Sequence, residues 1–333
     1  MAERIEFGSF DGQPVHLYEL SNANGMKTRI MDWGAVLQDL TAPVGGTDRS
    51  LVLGFSRFED YPARSPYFGA TCGRVGNRIA QGRFVLDGRT YELPVNEIGN
   101  AHLHGGPVGL TKRVWKVEDA SDRSVMLSIH SADGDQGYPG NLDVTCRYSL
   151  TDDNHLDIEM VGRCDRPTPL NLIHHTYWNL DGGGTIDAHV LQVDADAYLP
   201  TDEAQIPTGE IADLAGTVLD FRSPRRVDEA PGGRVDHAFI LTEGSGMRRV
   251  ADLTSGDGRC RMELMANQPA VQVYTGYKMD ITASDGTRFP SRSGICLETE
   301  GYPDAPNHPN FPGIILRPGE TYRHLMRHIF DWD

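Results

Sequence analysis

The chain has 333 residues, of which 47 are acidic and 31 basic, and its formal net charge is −16. An acidic surface repels phosphate groups, so this balance argues against nucleic acid and against an anionic membrane as partners. The sequence has no run of about 18 apolar residues, and its first residues lack an apolar signal segment, so we expect a cytoplasmic protein without a transmembrane helix.

Strand signals dominate along the chain. The dipeptides Asp11-Gly12 and Asp87-Gly88 each lie between short runs with apolar residues, which is the strongest short-range signal of a β-hairpin. A third hairpin is predicted around the turn at residues 151–154. Helical periodicity is scarce, and a short helix is expected only over residues 56–61. Many short strands joined by turns predict an all-β sandwich or barrel, and the length favours one large sandwich domain over residues 1–333.

The cysteines are odd in number and widely spaced, at Cys72, Cys146, Cys164, Cys260 and Cys296. This usage predicts free buried thiols in a reducing compartment. The chain also lacks the clustered Cys and His residues of a zinc site.

Residues 170–180 alternate between two faces, as the side chains of a strand do. One face carries Leu170, Leu172, His174, Thr176, Trp178 and Leu180, and the other carries Asn171, Ile173, His175, Tyr177 and Asn179. His174 is therefore predicted to pack in the core. His175 is predicted to lie on a polar, ligand-binding face.

Two further runs alternate in the same way, over residues 268–277 and 294–300. Gln272 is predicted to share a face with Tyr274, and Glu298 to share a face with Cys296 and Glu300. A carboxylate and an imidazole on a rigid sheet can transfer protons to and from a small neutral substrate without a cofactor.

Residues 102–106 place His102 and His104 before two glycines. Two histidines spaced in this way can ligate a metal, but no third ligand is visible nearby. The more favoured interpretation is that one imidazole lines a cleft and that the glycines let the backbone turn close to a ligand.

The segment 73–79 contains Arg74 and Arg78 but lacks the ending of a phosphate-binding P-loop. Either arginine can hold vicinal hydroxyls of a sugar, or can simply pair with a surface carboxylate. Asp236 can accept hydrogen bonds from hydroxyls or begin an Asx turn at the start of a strand. Tyr177 is one of several aromatic residues that can stack on a sugar, although most aromatic residues in a sheet belong to the core.

Several motifs are missing from the sequence, namely the G-x-S-x-G elbow, a dinucleotide-binding G-x-G-x-x-G after a strand, and an EF-hand loop. Nucleophilic hydrolysis, dinucleotide redox chemistry and calcium binding therefore lose support. Proton transfer by His and Glu in a polar cleft remains.

Taken together, these segments resemble the aldose 1-epimerases, the galactose mutarotase family. The matching segments follow the family's order over nearly the whole chain: Gly73–Ile79, His102–Gly106, Gly137–Asn141, Asn171–Leu180, Val235–Phe239, Gln268–Gly276, Cys296–Thr299 and Leu316–Glu320. The resemblance implies a large antiparallel β-sandwich with few short helices and a sugar cleft on the sheet. It also implies interconversion of the α and β anomers of a free aldose such as galactose or glucose, with no metal or other cofactor.

Carried over residue by residue, the resemblance implies that Glu298 is the general base and His175 the general acid. The positions that it implies for sugar binding are Asn77, Arg78, His104, Tyr177, Asp236 and Gln272. The substrate is then a monosaccharide, and the protein a monomer or homodimer.

The chain departs from the family pattern at three positions. His174 and Ala238 stand where asparagine is common, and Glu300 stands where glutamine is common. If Glu300 shares the face of Glu298, its charge is expected to raise the proton affinity of Glu298. The preferred aldose stays open. The alternatives are a hexose-6-phosphate 1-epimerase, disfavoured by the acidic charge, and a non-catalytic sugar-binding module, disfavoured because the acid and base positions are both filled.

Overall fold

The computed structural model describes residues 3–242, 244 and 246–333. Strands hold 48% of the residues and helical segments 8%, so the all-β prediction is confirmed. The strands of the first half are β1 (Glu3–Phe10), β2 (Gln13–Ser21), β3 (Lys27–Met31), β4 (Val36–Val44), β5 (Thr47–Ser50), β6 (Ala70–Cys72), β7 (Arg78–Ile79), β8 (Arg83–Leu86), β9 (Arg89–Glu92), β10 (His102–Leu103), β11 (Lys116–Ala120), β12 (Ser124–Ser131), β13 (Leu142–Leu150) and β14 (His155–Cys164).

The second half continues in the same style of short strands. They are β15 (Thr168–Pro169), β16 (Ile173–His175), β17 (Tyr177–Trp178), β18 (Val190–Val193), β19 (Ala195–Tyr198), β20 (Ala212–Asp213), β21 (Arg225–Arg226), β22 (Asp236–Leu241), β23 (Arg248–Thr254), β24 (Cys260–Ala266), β25 (Ala270–Tyr274), β26 (Ile281–Thr282), β27 (Arg288–Phe289), β28 (Ile295–Glu300), β29 (Ile315–Leu316) and β30 (Tyr322–Trp332).

Three sheets dominate the architecture. The largest has nine strands in the order β11-β12-β13-β14-β30-β24-β23-β18-β21. A six-stranded sheet has the order β17-β28-β25-β22-β19-β20, and β1 to β5 form a third sheet in chain order. Strand pairing within the three sheets is antiparallel. The three predicted hairpins are confirmed as β1–β2, β8–β9 and β13–β14.

The main core lies between these sheets. It takes Leu127 and Ile158 from the nine-stranded sheet, Val271 and Leu297 from the six-stranded sheet, and Leu37 from the third. In β12, β14, β25 and β28 alternate residues face this core, as a period of two requires, and β25 and β28 are buried on their other face as well. The predicted sandwich is therefore confirmed.

The helical segments are short. Among the described residues the α-helix is α1 (Asp60–Arg64), and the 3₁₀ turns are Ala80–Gly82, Ile98–Asn100, Leu110–Lys112, Asp135–Gly137, Val227–Glu229, Pro231–Gly233 and Ala305–Asn307. No helix in this part of the chain has the length and apolar character needed to cross a bilayer.

The prediction of a helix over residues 56–61 is wrong in position, because the helix begins at Asp60. Phe58, in the segment that precedes it, is buried and packs against Phe10 and Trp33. The carboxylate of Asp60 accepts hydrogen bonds from Ser284 on a distant loop. Tertiary contacts therefore set this boundary.

Arg74 plays neither of the roles considered from the sequence. Its side chain is 2% exposed and donates five hydrogen bonds. The acceptors are Ser131 Oγ, Ser131 O, Ala132 O, Pro139 O and Thr168 Oγ1, at 2.8–3.2 Å. The guanidinium group therefore ties the end of β12, the loop at Pro139 and the start of β15 to the segment that also carries Asn77 and Arg78.

We expect Arg74→Lys to destabilise the protein by about 2–4 kcal/mol, because an ammonium group has three donors and leaves at least two buried acceptors unpaired. Urea unfolding measures this as a lower midpoint with an unchanged slope. The activity of the folded variant should stay near that of the wild type. Lost activity without lost stability would instead make Arg74 a substrate-binding residue.

The other predictions about packing hold. All five cysteines are free, with Cys164 half-buried and the other four buried. His174 is a core histidine, since its Nε2 lies 3.0 Å from the Tyr148 hydroxyl and its Nδ1 lies 3.1 Å from Thr176 Oγ1.

Candidate active site

Three neighbouring strands of the six-stranded sheet bring polar side chains to one face. Glu298 on β28 lies opposite Gln272 on β25, and Gln272 lies opposite Ala238 on β22. Asp236 precedes Ala238 by two residues, so its side chain points to the same side of the sheet. Neighbouring strands are about 4.8 Å apart, so Glu298 and Asp236 lie at opposite ends of a polar row roughly 10 Å long.

His175 reaches this row from another strand. Its strand β16 pairs with β6 and packs beside β28. His175 Nε2 is 3.5 Å from Glu298 Oε1, and both side chains are buried, with 4% and 2% of their surface exposed. On the other side of the ring, Nδ1 is 3.5 Å from Cys296 Sγ. The predicted acid and base are therefore adjacent.

His104 lies beside this pair in a fixed tautomer. Its Nδ1 accepts a hydrogen bond from the backbone N–H of Asn77 at 3.2 Å, so the proton of the neutral ring is on Nε2. One ligand atom from each of His104, His175 and Glu298 lies within 4.8 Å of the others, which is compact enough for a metal ion. However, Nδ1 of His104 accepts the N–H of Asn77 and Nε2 carries the proton, so neither nitrogen of this tautomer has a free lone pair for a metal. The tautomer therefore favours a role for His104 Nε2–H as a hydrogen-bond donor to a ligand.

We call the space bordered by the polar row, His175 and His104 the cleft. A network of amide and carboxylate groups holds the side chains along the polar row in place. Asn77 Nδ2 donates to Gln272 Oε1 at 3.2 Å and to Glu300 Oε1 at 3.0 Å. Gln272 Nε2 donates to Asp236 Oδ1 at 2.7 Å. Each amide is oriented by its partners, so the groups that face a ligand are set in advance.

Arg78 occupies the Asp236 end of the cleft. Its Nη2 donates to Gln205 Oε1 at 3.0 Å, and its Nε is buried without a hydrogen-bond partner. Gln205 Nε2 in turn donates to Asp236 Oδ2 at 2.6 Å. The buried, unpaired Nε of Arg78 and the equally unpaired Oε2 of Glu298 are polar groups that a ligand or water must satisfy.

The rings of two tyrosines stack on the imidazole of His175. The ring of Tyr177 stacks on His175, with ring centroids 5.1 Å apart, and its buried hydroxyl donates to Pro66 O at 3.1 Å. Tyr67 stacks on the ring of His175 at 5.6 Å and lies 4.6 Å from that of His104. Tyr177 is thus part of the site through its contact with His175.

All eight predicted site residues lie in or directly against this cleft. Three further residues, Tyr67, Gln205 and Lys278, contact the predicted residues from loops and were not predicted from the sequence. Nothing in the sequence marked these three, because no strand alternation indicates where a loop side chain points.

Comparison with known proteins identifies the family of the chain. The profile of the aldose 1-epimerase family matches residues 16–328. The chain is 40% identical to the aldose 1-epimerase of Escherichia coli K12 over 334 residues, covering 96% of each protein. It is 40% identical to the galactose mutarotase of Rattus norvegicus over 332 residues, again covering 96% of each. The chain belongs to the aldose 1-epimerase family.

Solved structures of relatives share the fold of this family member. An aldose epimerase homologue from C. elegans superposes with a TM-score of 0.91 at 29% identity, covering 100% of this chain and 99% of that one. The galactose 1-epimerase of Lactobacillus acidophilus NCFM superposes with a TM-score of 0.89 at 28% identity, with the same coverage.

Burial dominates the electrostatics of the site. Burial, the charge of Glu300 and that of Asp236 raise the pKa of Glu298 well above its usual range, and Arg78 opposes them. Burial also lowers the pKa of His175 to about 4. Both shifts disfavour the charged form of each group, so the proton that the pair shares rests more easily on Glu298 when no substrate is bound.

Glu300, which departs from the family pattern, lies within this site. It is fully buried, and burial raises its pKa to about 8 despite hydrogen bonds from Asn77 and Asn171. The expected effect of its charge on the proton affinity of Glu298 is confirmed. The two carboxyl groups therefore titrate as a coupled pair.

We expect Glu300→Gln to lower the pKa of Glu298, because the substitution removes a neighbouring negative charge. The pair works with one shared proton, which rests mainly on Glu298, so activity is lost when that proton leaves as the pH rises through the pKa of Glu298. The alkaline limb of the kcat/KM profile should therefore move to lower pH, as measured by initial rates across a pH series. An alkaline limb that stays in place, or moves to higher pH, would contradict the coupling.

Proposed function

We propose that this protein interconverts the α and β anomers of a free aldose, such as galactose or glucose, with Glu298 as general base and His175 as general acid. Family membership supports the reaction type. The observation that supports the residue roles is the buried pair itself, with His175 Nε2 at 3.5 Å from Glu298 Oε1.

The reaction needs two coupled proton transfers. Glu298, ionised, takes the proton of the anomeric hydroxyl, and His175, protonated, donates to the ring oxygen. The bond between C1 and the ring oxygen then breaks and leaves an open-chain aldehyde. Rotation about the C1–C2 bond presents the other face of the carbonyl group, and ring closure returns both protons. Each transfer typically contributes about 10²–10⁴-fold.

The pair needs only one shared proton for this cycle. Ring opening converts a carboxylate and an imidazolium into a carboxylic acid and a neutral imidazole. Burial favours the uncharged state, as the raised pKa of Glu298 and the lowered pKa of His175 indicate. Burial therefore drives the proton transfers that accompany ring opening, while Arg78 favours the ionised carboxylate that begins the cycle.

The remaining polar groups bind the sugar in this proposal. His104 Nε2–H and Arg78 supply donors, Asp236 supplies an acceptor, and Gln272 supplies both. Asn77 supplies its Oδ1 as an acceptor, because its two N–H donors already bind Gln272 and Glu300. Tyr177 stacks on the imidazole of His175 and helps to hold it in position. No step requires a metal or an organic cofactor.

We further propose a single domain over residues 1–333, because one core takes residues from Tyr18 to Phe330. We also propose a cytoplasmic location, because the buried thiols are free.

The proposal is tested with freshly dissolved α-D-galactose and α-D-glucose, followed by polarimetry or NMR. The protein should speed the approach to anomeric equilibrium beyond the spontaneous rate. The 6-phosphates of the same sugars serve as the comparison, and they should react more slowly because the net charge of −16 disfavours binding of an anionic substrate. Binding of galactose with no change in the anomerisation rate would indicate a sugar-binding module instead.

A further inference from the structure

The tight turn at residues 201–207 fixes the backbone of Gln205. Asp202 Oδ1 accepts hydrogen bonds from the N–H groups of Ala204 at 2.9 Å and Ile206 at 3.0 Å. The N–H of Asp202 also donates to Ile206 O at 2.9 Å. Gln205 itself has a φ of 61°, in the left-handed region that is uncommon for a residue with a side chain. The turn therefore holds Gln205 in place without help from its own side chain.

The side chain of Gln205 makes its hydrogen bonds to residues of the cleft. Its Nε2 donates to Asp236 Oδ2 at 2.6 Å, and its Oε1 accepts from Arg78 Nη2 at 3.0 Å. The ammonium group of Lys278 also donates to Gln205 Oε1 and lies 3.3 Å from Asp236 Oδ2. The strained turn thus holds the amide of Gln205 in contact with Arg78 and Asp236, the two charged residues that we assign to sugar binding.

The position of this amide relative to Glu298 decides which part of a sugar it meets. Asp236 lies on β22 and Glu298 on β28, with β25 between them. The distance across three strands is roughly 10 Å. A sugar whose anomeric carbon lies beside Glu298 therefore presents its most distant hydroxyls to Asp236 and Gln205.

We propose that Gln205 is a specificity-determining residue that binds the aldose hydroxyls farthest from the anomeric carbon. Arg78 and Lys278 can only donate hydrogen bonds, and an ionised Asp236 can only accept them. Gln205 Oε1 already accepts from Arg78 and Lys278, and one N–H of Nε2 donates to Asp236, so one N–H is left to donate to a sugar hydroxyl. A donor held in a fixed direction favours the aldoses whose hydroxyl oxygen lies in that direction, and the orientation of these hydroxyls is what distinguishes one aldose from another. The inference rests on the proposed function of the same cleft.

The test is Gln205→Leu, assayed by initial anomerisation rates on galactose, glucose and their 3-deoxy and 4-deoxy analogues. KM for the parent sugars should rise about 3- to 10-fold, the range of one neutral hydrogen bond, while kcat stays within about 2-fold. For the analogue that lacks the contacted hydroxyl, wild type and variant should have the same KM. That convergence reports direct contact, as a double-mutant cycle does.

Gln268→Leu is the matched control, because Gln268 donates to Arg323 O outside the cleft. It should leave KM for all four sugars unchanged. If the wild type is active but Gln205→Leu raises KM equally for parents and both deoxy analogues, Gln205 is only a structural support and the inference fails. If the wild type speeds anomerisation of no aldose, the proposed function itself fails, whatever the variant does.

Discussion

Glu298→Gln should lower kcat/KM for anomerisation by about 10²–10⁴-fold, the contribution of one general base. Glutamine has the shape of glutamate but does not take a proton at neutral pH. The sugar contacts through Asn77, Arg78 and Asp236 should persist, so KM should change much less than kcat. Initial rates by polarimetry, corrected for spontaneous mutarotation, measure the effect.

Two further measurements separate catalysis from folding. Glu298 Oε2 is buried without a hydrogen-bond partner, so removing the carboxylate should leave the midpoint of thermal unfolding unchanged or higher. Glu159→Gln is the matched control, because Glu159 lies on β14 of the nine-stranded sheet and pairs with Arg323 at the surface. It should keep the wild-type rate. Wild-type activity in Glu298→Gln would overturn the assignment of the base.

The face of the sheet on which a side chain lies could be predicted where the local structure is a strand. Side chains of a strand alternate whatever the surroundings, so Glu298, His175 and Gln272 could be assigned to polar faces from the sequence. The opposite assignment of His174 to the core follows from the same rule. Family resemblance added Asn77 and His104, which have φ values of 57° and 50° in loops where alternation predicts nothing.

The direction of a side chain could not be predicted from the sequence where tertiary contacts decide it. Tyr67 and Gln205 lie in loops with φ values of 70° and 61°, and each reaches the cleft from a distant part of the chain. Arg74 could be read as a surface or ligand residue because its acceptors are backbone carbonyls and hydroxyls, which leave no pattern in the sequence. The start of α1 was misplaced for a similar reason, since Ser284 on a remote loop holds Asp60.

His175→Gln should lower kcat by about 10²–10⁴-fold, because the ring oxygen loses its proton donor. The adjacent His174→Gln makes a matched comparison, since the two imidazoles lie on opposite faces of β16. His174 bonds to Tyr148 and Thr176 in the core, so its loss should reduce the free energy of unfolding by about 1–3 kcal/mol and leave kcat of the folded protein nearly unchanged.

The two variants should therefore separate catalysis from stability within one dipeptide. His175→Gly adds a chemical test, because the space that the ring leaves beside Tyr67 and Tyr177 can admit free imidazole. Added imidazole should restore part of the rate, and the gain should follow the concentration of imidazolium as the pH is varied. A merely structural His175 would give a variant that added imidazole does not rescue, and the acid would then have to be sought in His104, the other imidazole close to Glu298.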